Sequence, residues 1–273
     1  SEIHYYTGKK SQEQDPSGIN KLDEYRELWN LVFIEYNRKE DGSLEELPMK
    51  HIDTGMGLER ILATLNEIDD HYKTDLFSLI IDEIEKISKM PYSDKTGMAH
   101  RVIADHIRMV SFSLADGVMP SNEGRGYVVR RVLRRAARFG RVLNIDRTFL
   151  YKLENPLCDI LGKSYPELIE KKDHIIKVIK VEETSFGKTL DRGLNLIHEI
   201  IDSQKNKVIS GEDVFKLYDT YGFPVDLTQL IAKENGCDID TESFNDFMKK
   251  QKIRARESNK FHSTDNKASW TIL

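Results

Sequence analysis

The segment Ile52-Asp-Thr-Gly-Met-Gly-Leu-Glu-Arg60 joins a predicted strand to a predicted helix and decides the fold of the first part of the chain. Upstream of it, residues 28–37 are rich in aromatic and β-branched side chains, which favours a buried strand. Asp41-Gly42 is a turn signal, so residues 44–52 can return as an antiparallel partner. The pattern therefore predicts a β-hairpin that ends at this segment.

Two glycines follow the predicted hairpin. Thr54-Gly-Met-Gly57 is expected to break the strand, because Gly55 and Gly57 can take a positive φ and let a flat ligand approach the backbone. Beyond them, four apolar residues at helical spacing predict a helix, and these are Leu58, Ile61, Leu62 and Leu65. The free N–H groups at the N-terminus of such a helix favour an anion. We interpret the segment as strand, glycine turn and helix.

Asp53 and Arg60 flank this turn and carry its chemistry. A carboxylate at the position of Asp53 can hold an ammonium group through a charge-assisted hydrogen bond. Arg60, one turn into the helix, offers a planar cation for phosphate contact or for stacking on a base. A Gly-X-Gly turn is a weak signal by itself, and an ordinary turn with Asp53 as a cap and Arg60 in solvent is the alternative.

The hydrophobic pattern changes near residue 70. Strand-like segments precede this point, and apolar residues at helical spacing follow it, which predicts an α+β chain with a boundary there. The predicted helices cover residues 76–87, 102–114, 127–139, 149–161, 166–201, 212–217, 225–234 and 241–257.

One predicted helix is strongly basic. Between residues 125 and 141 no acidic residue interrupts a set of seven arginines: Arg125, Arg130, Arg131, Arg134, Arg135, Arg138 and Arg141. Helical spacing gathers most of them on one face, and their forked guanidinium groups suit phosphate oxygens and bases. We therefore predict an RNA-binding face of unopposed charges, with an ordinary solvated face as the alternative.

Composition limits the class of protein. The 273 residues carry a formal net charge of −5, so any polyanion site must be local. Two cysteines without a metal-ligand cluster suggest neither a disulfide framework nor zinc, and no secretory or membrane-spanning pattern occurs. We expect a cytoplasmic protein whose sequence is cut at both ends, since it opens without Met and stops without a clear final element.

Asp53-Thr-Gly-Met-Gly-Leu-Glu-Arg60 resembles the third signature motif of class II aminoacyl-tRNA synthetases in its alanyl form. The resemblance continues in the family's order through residues 29–38, 101–108, 116–127 and 217–227. It implies the C-terminal part of an antiparallel-sheet catalytic domain at residues 1–70. An all-α tRNA-recognition domain would follow at 71–260, and a truncated linker at 261–273.

The resemblance also implies roles for residues of the hairpin and its helix. The alanine site would comprise Asn30, Val32, Asp53 and Gly55. Thr54, Gly57 and Arg60 would contact ATP, and Asp53 and Arg60 would be the catalytic pair. Without the resemblance, Asn30 and Val32 are ordinary strand residues.

In the second domain the resemblance assigns Asn122 and Asp219 to a G·U pair in the tRNA acceptor stem, contacted from the minor groove. Arginines of the basic helix would bind the same tRNA: Arg125, Arg130, Arg131, Arg134, Arg135 and Arg138. Without the resemblance, Asn122 is a turn residue, and Asp219 belongs to a helix end terminated by Gly222 and Pro224.

The implied activity is ATP-dependent ligation of alanine to tRNA(Ala), with Mg-ATP as a substrate, no zinc in this segment and no membrane partner. The sequence contains neither the first nor the second signature motif of the family, so we expect no adenylate from this segment alone. Oligomerisation would use only regions that are absent here. The alternative function is a stand-alone RNA-binding module with a vestigial nucleotide surface.

Two further acidic segments are candidate sites. Asp105-His106 has no neighbouring Ser or Cys nucleophile, and packing is the preferred interpretation. Glu182-Glu183 shares a predicted helix with several lysines, which favours a solvated face over acid–base catalysis.

Overall fold

The computed structural model describes residues 1–8, 14–19, 24–203 and 207–262, with side chains through residue 251. It divides into two compact units, Ser1–Glu83 and Ile84–Leu273. This division falls within a helix, α2 (Ser78–Ser88). The domain boundary at residues 70 and 71 stays a prediction.

The first unit is built on a three-stranded antiparallel sheet with β2 in the centre. Its strands are β1 (Glu2–Tyr6), β2 (Tyr25–Arg38) and β3 (Leu44–Met56). Gly42 in the β2–β3 turn has a φ of +82°, a conformation that suits glycine. The predicted hairpin and its turn are confirmed, whereas β1 was not predicted.

The strand β3 continues through Gly55, which pairs with Asn30 inside the ladder, and ends at Met56. Gly57 follows as the N-cap of α1 (Leu58–Leu65), so the predicted order of strand, glycine and helix is confirmed. Neither glycine takes the positive φ that its lack of a Cβ allows. The central strand β2 offers backbone partners along this whole segment, so the ladder continues to Met56.

The apolar side chains of the hairpin are exposed. Val32 is 46%, Phe33 58% and Ile52 66% accessible. The expectation of a buried strand at residues 28–37 is therefore wrong, although the strand itself is confirmed. Aromatic and β-branched residues favour the extended backbone whether or not a second layer covers the sheet.

The second unit is mainly helical. The helices are α3 (Gly97–Ala115), α4 (Gly124–Val142), α5 (Glu154–Leu161), α6 (Pro166–Glu170), α7 (Lys172–Ser203), α8 (Gly211–Tyr221), α9 (Val225–Glu234) and α10 (Thr241–His262). A short 3-10 helix occupies Leu150–Leu153, and two others, Pro16–Gly18 and His71–Lys73, belong to the first unit. The predicted helix at 166–201 is two helices, because Lys171 leaves the helical conformation between α6 and α7.

The core of this unit lies where α3, α4 and α7 meet. Ile107, Leu133, Phe139 and Leu190 are almost completely buried there. Apolar residues at positions i, i+3, i+4 and i+7 give each helix one continuous buried stripe, which holds the long helices together. Most of the predicted helices are confirmed with shifted ends, but the first part of the helix predicted at 149–161 is a 3-10 helix, and α5 begins only at Glu154.

A small parallel sheet joins β4 (Val208–Ile209) to β5 (Asp238–Ile239). The prediction that this part of the chain is all-α is therefore wrong. Strands of two residues carry no readable alternation, which explains why they were missed. Of the predicted linker at 261–273, residues 261 and 262 belong to α10, and 263–273 lie outside the described residues.

Candidate functional site

The four predicted alanine-binding residues lie on one face of the β2–β3 hairpin. Asn30 is directly opposite Gly55, and Val32 is directly opposite Asp53. Residues two apart in a strand project from the same side of a sheet, so these two cross-strand pairs form one patch. A Cβ added at Gly55 would find no described atom within 4 Å, which leaves open space above the patch.

The strand β1 extends this patch at its edge. Glu2 is the register partner of Asn30, and the Asn30 side-chain amide lies 3.5 Å from a Glu2 carboxylate oxygen. The other Glu2 oxygen lies 2.9 Å from Nε2 of His4. Neither Glu2 nor His4 was predicted to belong to the site, because the five-residue strand β1 contains no recognisable motif.

Thr54 belongs to the opposite face of the hairpin. It pairs with Leu31, its hydroxyl accepts a hydrogen bond from the indole N–H of Trp29, and it donates to the Asn30 carbonyl at 3.1 Å. The structure thus separates Thr54 from the side chains of Asp53 and Asn30. Its assignment to ATP stays a prediction.

Arg60 lies in the first turn of α1 and turns back along β2. Its Nη1 donates to the Glu27 carbonyl at 2.9 Å, and the side chain is 51% exposed. A Cβ on Gly57 would lie 3.2 Å from Arg60 Cδ, so the glycine leaves room for the arginine. The same Nη1 lies 4.0 Å from a Glu27 carboxylate oxygen, so the guanidinium is held at one end and remains partly exposed.

The loop that carries Asn122 is fixed by the basic helix α4. Arg130 donates through Nη1 to the Asn122 side-chain oxygen, and its Nη2 lies 3.4 Å from the Pro120 carbonyl. Asn122 itself is exposed. One arginine of α4 therefore orients the residue that the resemblance assigns to the acceptor stem.

The arginines of α4 are not unopposed, and that prediction is wrong. Arg134 donates through Nε and Nη2 to Glu182 at 2.9 and 2.7 Å, and Arg138 forms a two-point contact with Glu234. Two weaker or more exposed pairs join Arg131 to Asp226 at 3.6 Å and Arg141 to Asp191 at 2.8 Å. The acidic partners come from α7 and α9, which are far away in sequence. The absence of acidic residues within α4 therefore gave no information about these partners.

Exposure divides the predicted tRNA-binding arginines into two groups. The side chains of Arg134 and Arg138 are only 17% and 10% exposed. Arg131 is more open, and Arg125 is exposed with no hydrogen bond or ion pair among the described residues. Arg135 is half-buried, and its Nε has no partner among these residues.

Asp219 lies near the end of α8. Its carboxylate accepts a hydrogen bond from the side-chain amide of Gln251 in α10, and the residue is exposed. The predicted helix end is confirmed, since Gly222 is the C-cap with a φ of +69° and Phe223 N–H bonds to the Leu217 carbonyl at 3.0 Å. The cap holds the last turn of α8 in place.

The glutamates at 182 and 183 do not form a solvated face, contrary to expectation. The Glu182 side chain is 12% exposed, and Glu183 is buried. Burial raises the pKa of Glu183 to about 7, although the N–H groups of Phe149 and Leu150 lower it. Helical spacing from Ile179 to Phe186 includes position 183 and could have revealed this from the sequence.

The described part of the chain lacks two kinds of structure. No helix there is long and apolar enough to cross a membrane. No group of three or more His, Cys, Asp or Glu side chains in the same residues is arranged to hold a metal ion. His106 lies 3.3 Å from Asp105, and the packing interpretation of that pair stays a prediction.

Comparison with known proteins identifies the family. The alanine–tRNA ligase of Christiangramia forsetii is 48% identical over 265 residues, and that of Bacillus subtilis is 47% identical over 269. In both cases the match covers 94% of this chain and 30% of the relative, so the chain spans about a third of the length of these curated relatives. The family model for class II (A) tRNA synthetases matches residues 1–272, and the chain therefore belongs to that family.

Proposed function

We propose that this chain supplies the alanine-binding surface and the acceptor-stem recognition surface of a cytoplasmic alanine–tRNA ligase. The observation that carries the proposal is the register of the hairpin, with Asn30 opposite Gly55 and Val32 opposite Asp53. The names of the relatives favour the ligase over a stand-alone RNA-binding module. Residues 1–70 would serve catalysis and residues 71–260 tRNA recognition.

The patch suits the smallest chiral amino acid. The Asp53 carboxylate would hold the ammonium group, and Asn30 would hydrogen-bond beside it. Val32 opposite Asp53 would contact the methyl group, while Gly55 leaves the space that the ligand needs.

The proposed reaction has two steps. An alanine carboxylate oxygen attacks the α-phosphorus of Mg-ATP, pyrophosphate leaves, and alanyl-adenylate forms. The terminal ribose hydroxyl of tRNA(Ala) then attacks the alanyl carbonyl carbon, and AMP leaves. The chain would contribute by positioning and by charge stabilisation, with Arg60 on ATP and the backbone of Gly57 and Thr54 beside it.

Recognition of tRNA would fall to the second unit. Asn122 and Asp219 are exposed polar groups at ordered positions, a loop fixed by Arg130 and a helix end capped by Gly222. They would contact the G·U pair through its minor groove. The arginines would bind the RNA backbone in order of their exposure, with Arg125 and Arg131 contributing most.

The test transplants the chain into a relative of known activity. Residues 1–273 replace the matching segment of the Bacillus subtilis alanine–tRNA ligase, and alanine-dependent ATP–pyrophosphate exchange is measured. We expect exchange in this chimera, and Asp53→Asn should lower kcat/KM for alanine about 100-fold, because losing a charged contact costs about 3 kcal/mol.

Glu46→Gln is the matched control, since it neutralises an exposed acid on the same strand outside the patch. It should leave exchange unchanged. A folded chimera without exchange, or equal effects of the two substitutions, would overturn the assignment of the patch to alanine.

A further inference from the structure

Glu182 lies between two arginines of α4. Its Oε1 accepts hydrogen bonds from Nε and Nη2 of Arg134 at 2.9 and 2.7 Å. The same oxygen lies 3.2 Å from Nε of Arg130, without hydrogen-bond geometry. Since the Glu182 side chain is 12% exposed, one carboxylate balances two guanidinium groups away from most of the solvent.

Each arginine reaches a different element with its remaining nitrogens. Arg130 donates to Asn122 and contacts the Pro120 carbonyl, both in the loop before α4. Arg134 donates through Nη1 to the Gly222 carbonyl at 2.6 Å, at the end of the helix that carries Asp219. A continuous set of contacts therefore joins the Asn122 loop to the end of α8.

The approach of Arg134 to α8 depends on the C-cap. Gly222 has a φ of +69°, and a Cβ at this position would lie 2.5 Å from Arg134 Nη1. The guanidinium also lies at the negative end of the helix dipole. Phe186 places its ring centroid 5.1 Å from Arg134 Cζ, so the arginine is confined on a second side.

We infer that Glu182 is a positioning residue that keeps Asn122 and Asp219 in register for one RNA ligand. This inference rests on the proposed role of these two residues in acceptor-stem recognition. Without the carboxylate, Arg130 and Arg134 repel each other, and the loop and the α8 end lose their common anchor. Discrimination between base pairs should fall, whereas the positive charge that attracts RNA is retained.

The experiment uses the 273-residue chain and two acceptor-stem hairpins that differ only in a G·U or G·C pair. Fluorescence anisotropy at one fixed salt concentration gives both dissociation constants. The unmutated chain should prefer the G·U hairpin, and Glu182→Gln should reduce the preference about ten-fold with less than about two-fold change for G·C. A purely structural role would weaken both hairpins equally.

Asp191→Asn is the matched control, because Asp191 is also an α7 acid paired with an α4 arginine, Arg141. Arg141 contacts neither the Asn122 loop nor α8 among the described residues, so the preference should persist. Glu182→Asp keeps the charge on a shorter side chain, and a partial loss is expected from it. This variant also serves if Glu182→Gln fails to fold.

A second comparison isolates the positioning role. In a chain with Asn122→Ala and Asp219→Ala, adding Glu182→Asp should not change the hairpin preference further. An unchanged preference in folded Glu182→Gln would overturn the inference and leave the proposed function intact. If the unmutated chain binds both hairpins equally, acceptor-stem recognition itself fails, and the inference fails with it.

Discussion

The hairpin patch (Asn30, Val32, Asp53 and Gly55) and the α4–α7 cluster (Arg130, Arg134 and Glu182) use polar residues in opposite ways. In the patch, Asp53 and Val32 are exposed and Gly55 faces open space. In the cluster, Arg134 and Glu182 are mostly buried and hydrogen-bonded to each other. Groups left open at ordered positions are available to ligands, whereas groups satisfied internally hold the fold. The density of charged residues in a sequence does not show whether they bind a ligand or stabilise the fold.

The largest expected effect is on the free energy of unfolding, and it tests whether the buried arginines of α4 stabilise the fold. Arg134→Ala should lower the free energy of unfolding by about 3 to 4 kcal/mol, because it leaves Glu182 without its closest partner and frees the Gly222 carbonyl. Helical circular dichroism during urea unfolding measures this.

Arg125→Ala is the matched control and should change that free energy by less than about 0.5 kcal/mol. It should instead weaken RNA binding and reduce its salt dependence. The distinction between groups satisfied inside the fold and groups open to a ligand would be lost if Arg134→Ala left stability unchanged and reduced only RNA affinity.

The second prediction concerns the pH dependence of stability at Glu183, the buried neighbour of Glu182 in α7. Burial raises the pKa of Glu183 from 4.5 to about 7, so the folded state binds a proton that the unfolded state releases. Stability from this group is therefore complete below about pH 4.5 and is lost as pH rises through about 7, a change of about 3 kcal/mol.

Urea unfolding at a series of pH values measures the effect. Burial also raises the pKa of Glu154, which contributes a loss of the same sign. The difference between the unmutated chain and Glu183→Gln isolates the first group, since glutamine does not titrate. Parallel pH profiles for the two chains would show that Glu183 ionises normally.

The smallest expected effect compares two glycines, one from each region. A Cβ at Gly193 would lie 2.3 Å from the ring of Phe223, so Gly193→Ala should destabilise the second unit by about 2 kcal/mol. Gly55→Ala meets no described atom within 4 Å and should leave unfolding unchanged while it weakens alanine binding to the chimera. A stability loss at Gly55 with normal alanine affinity would remove the patch from the ligand site.

Much of the fold was predictable because it depends on neighbours in sequence. Asp41-Gly42 marks its turn by chemistry, and Gly222 with Pro224 ends α8 in the same way. The helices follow from apolar spacing within one or two turns. The exact end of β3 was not predictable, because a glycine permits a turn without requiring one, and pairing with β2 keeps Gly55 in the strand up to Met56.

By itself, the sequence determined the hairpin, the order of the helices and the family, since each depends on patterns within short segments of the chain. Only the tertiary structure decided which charges remain available. Arg134 meets Glu182 across 48 positions and Arg138 meets Glu234 across 96, so no local pattern could reveal those partners. The same holds for Val32 and Asp53, which share one patch because the sheet register, and not their spacing, sets them opposite each other.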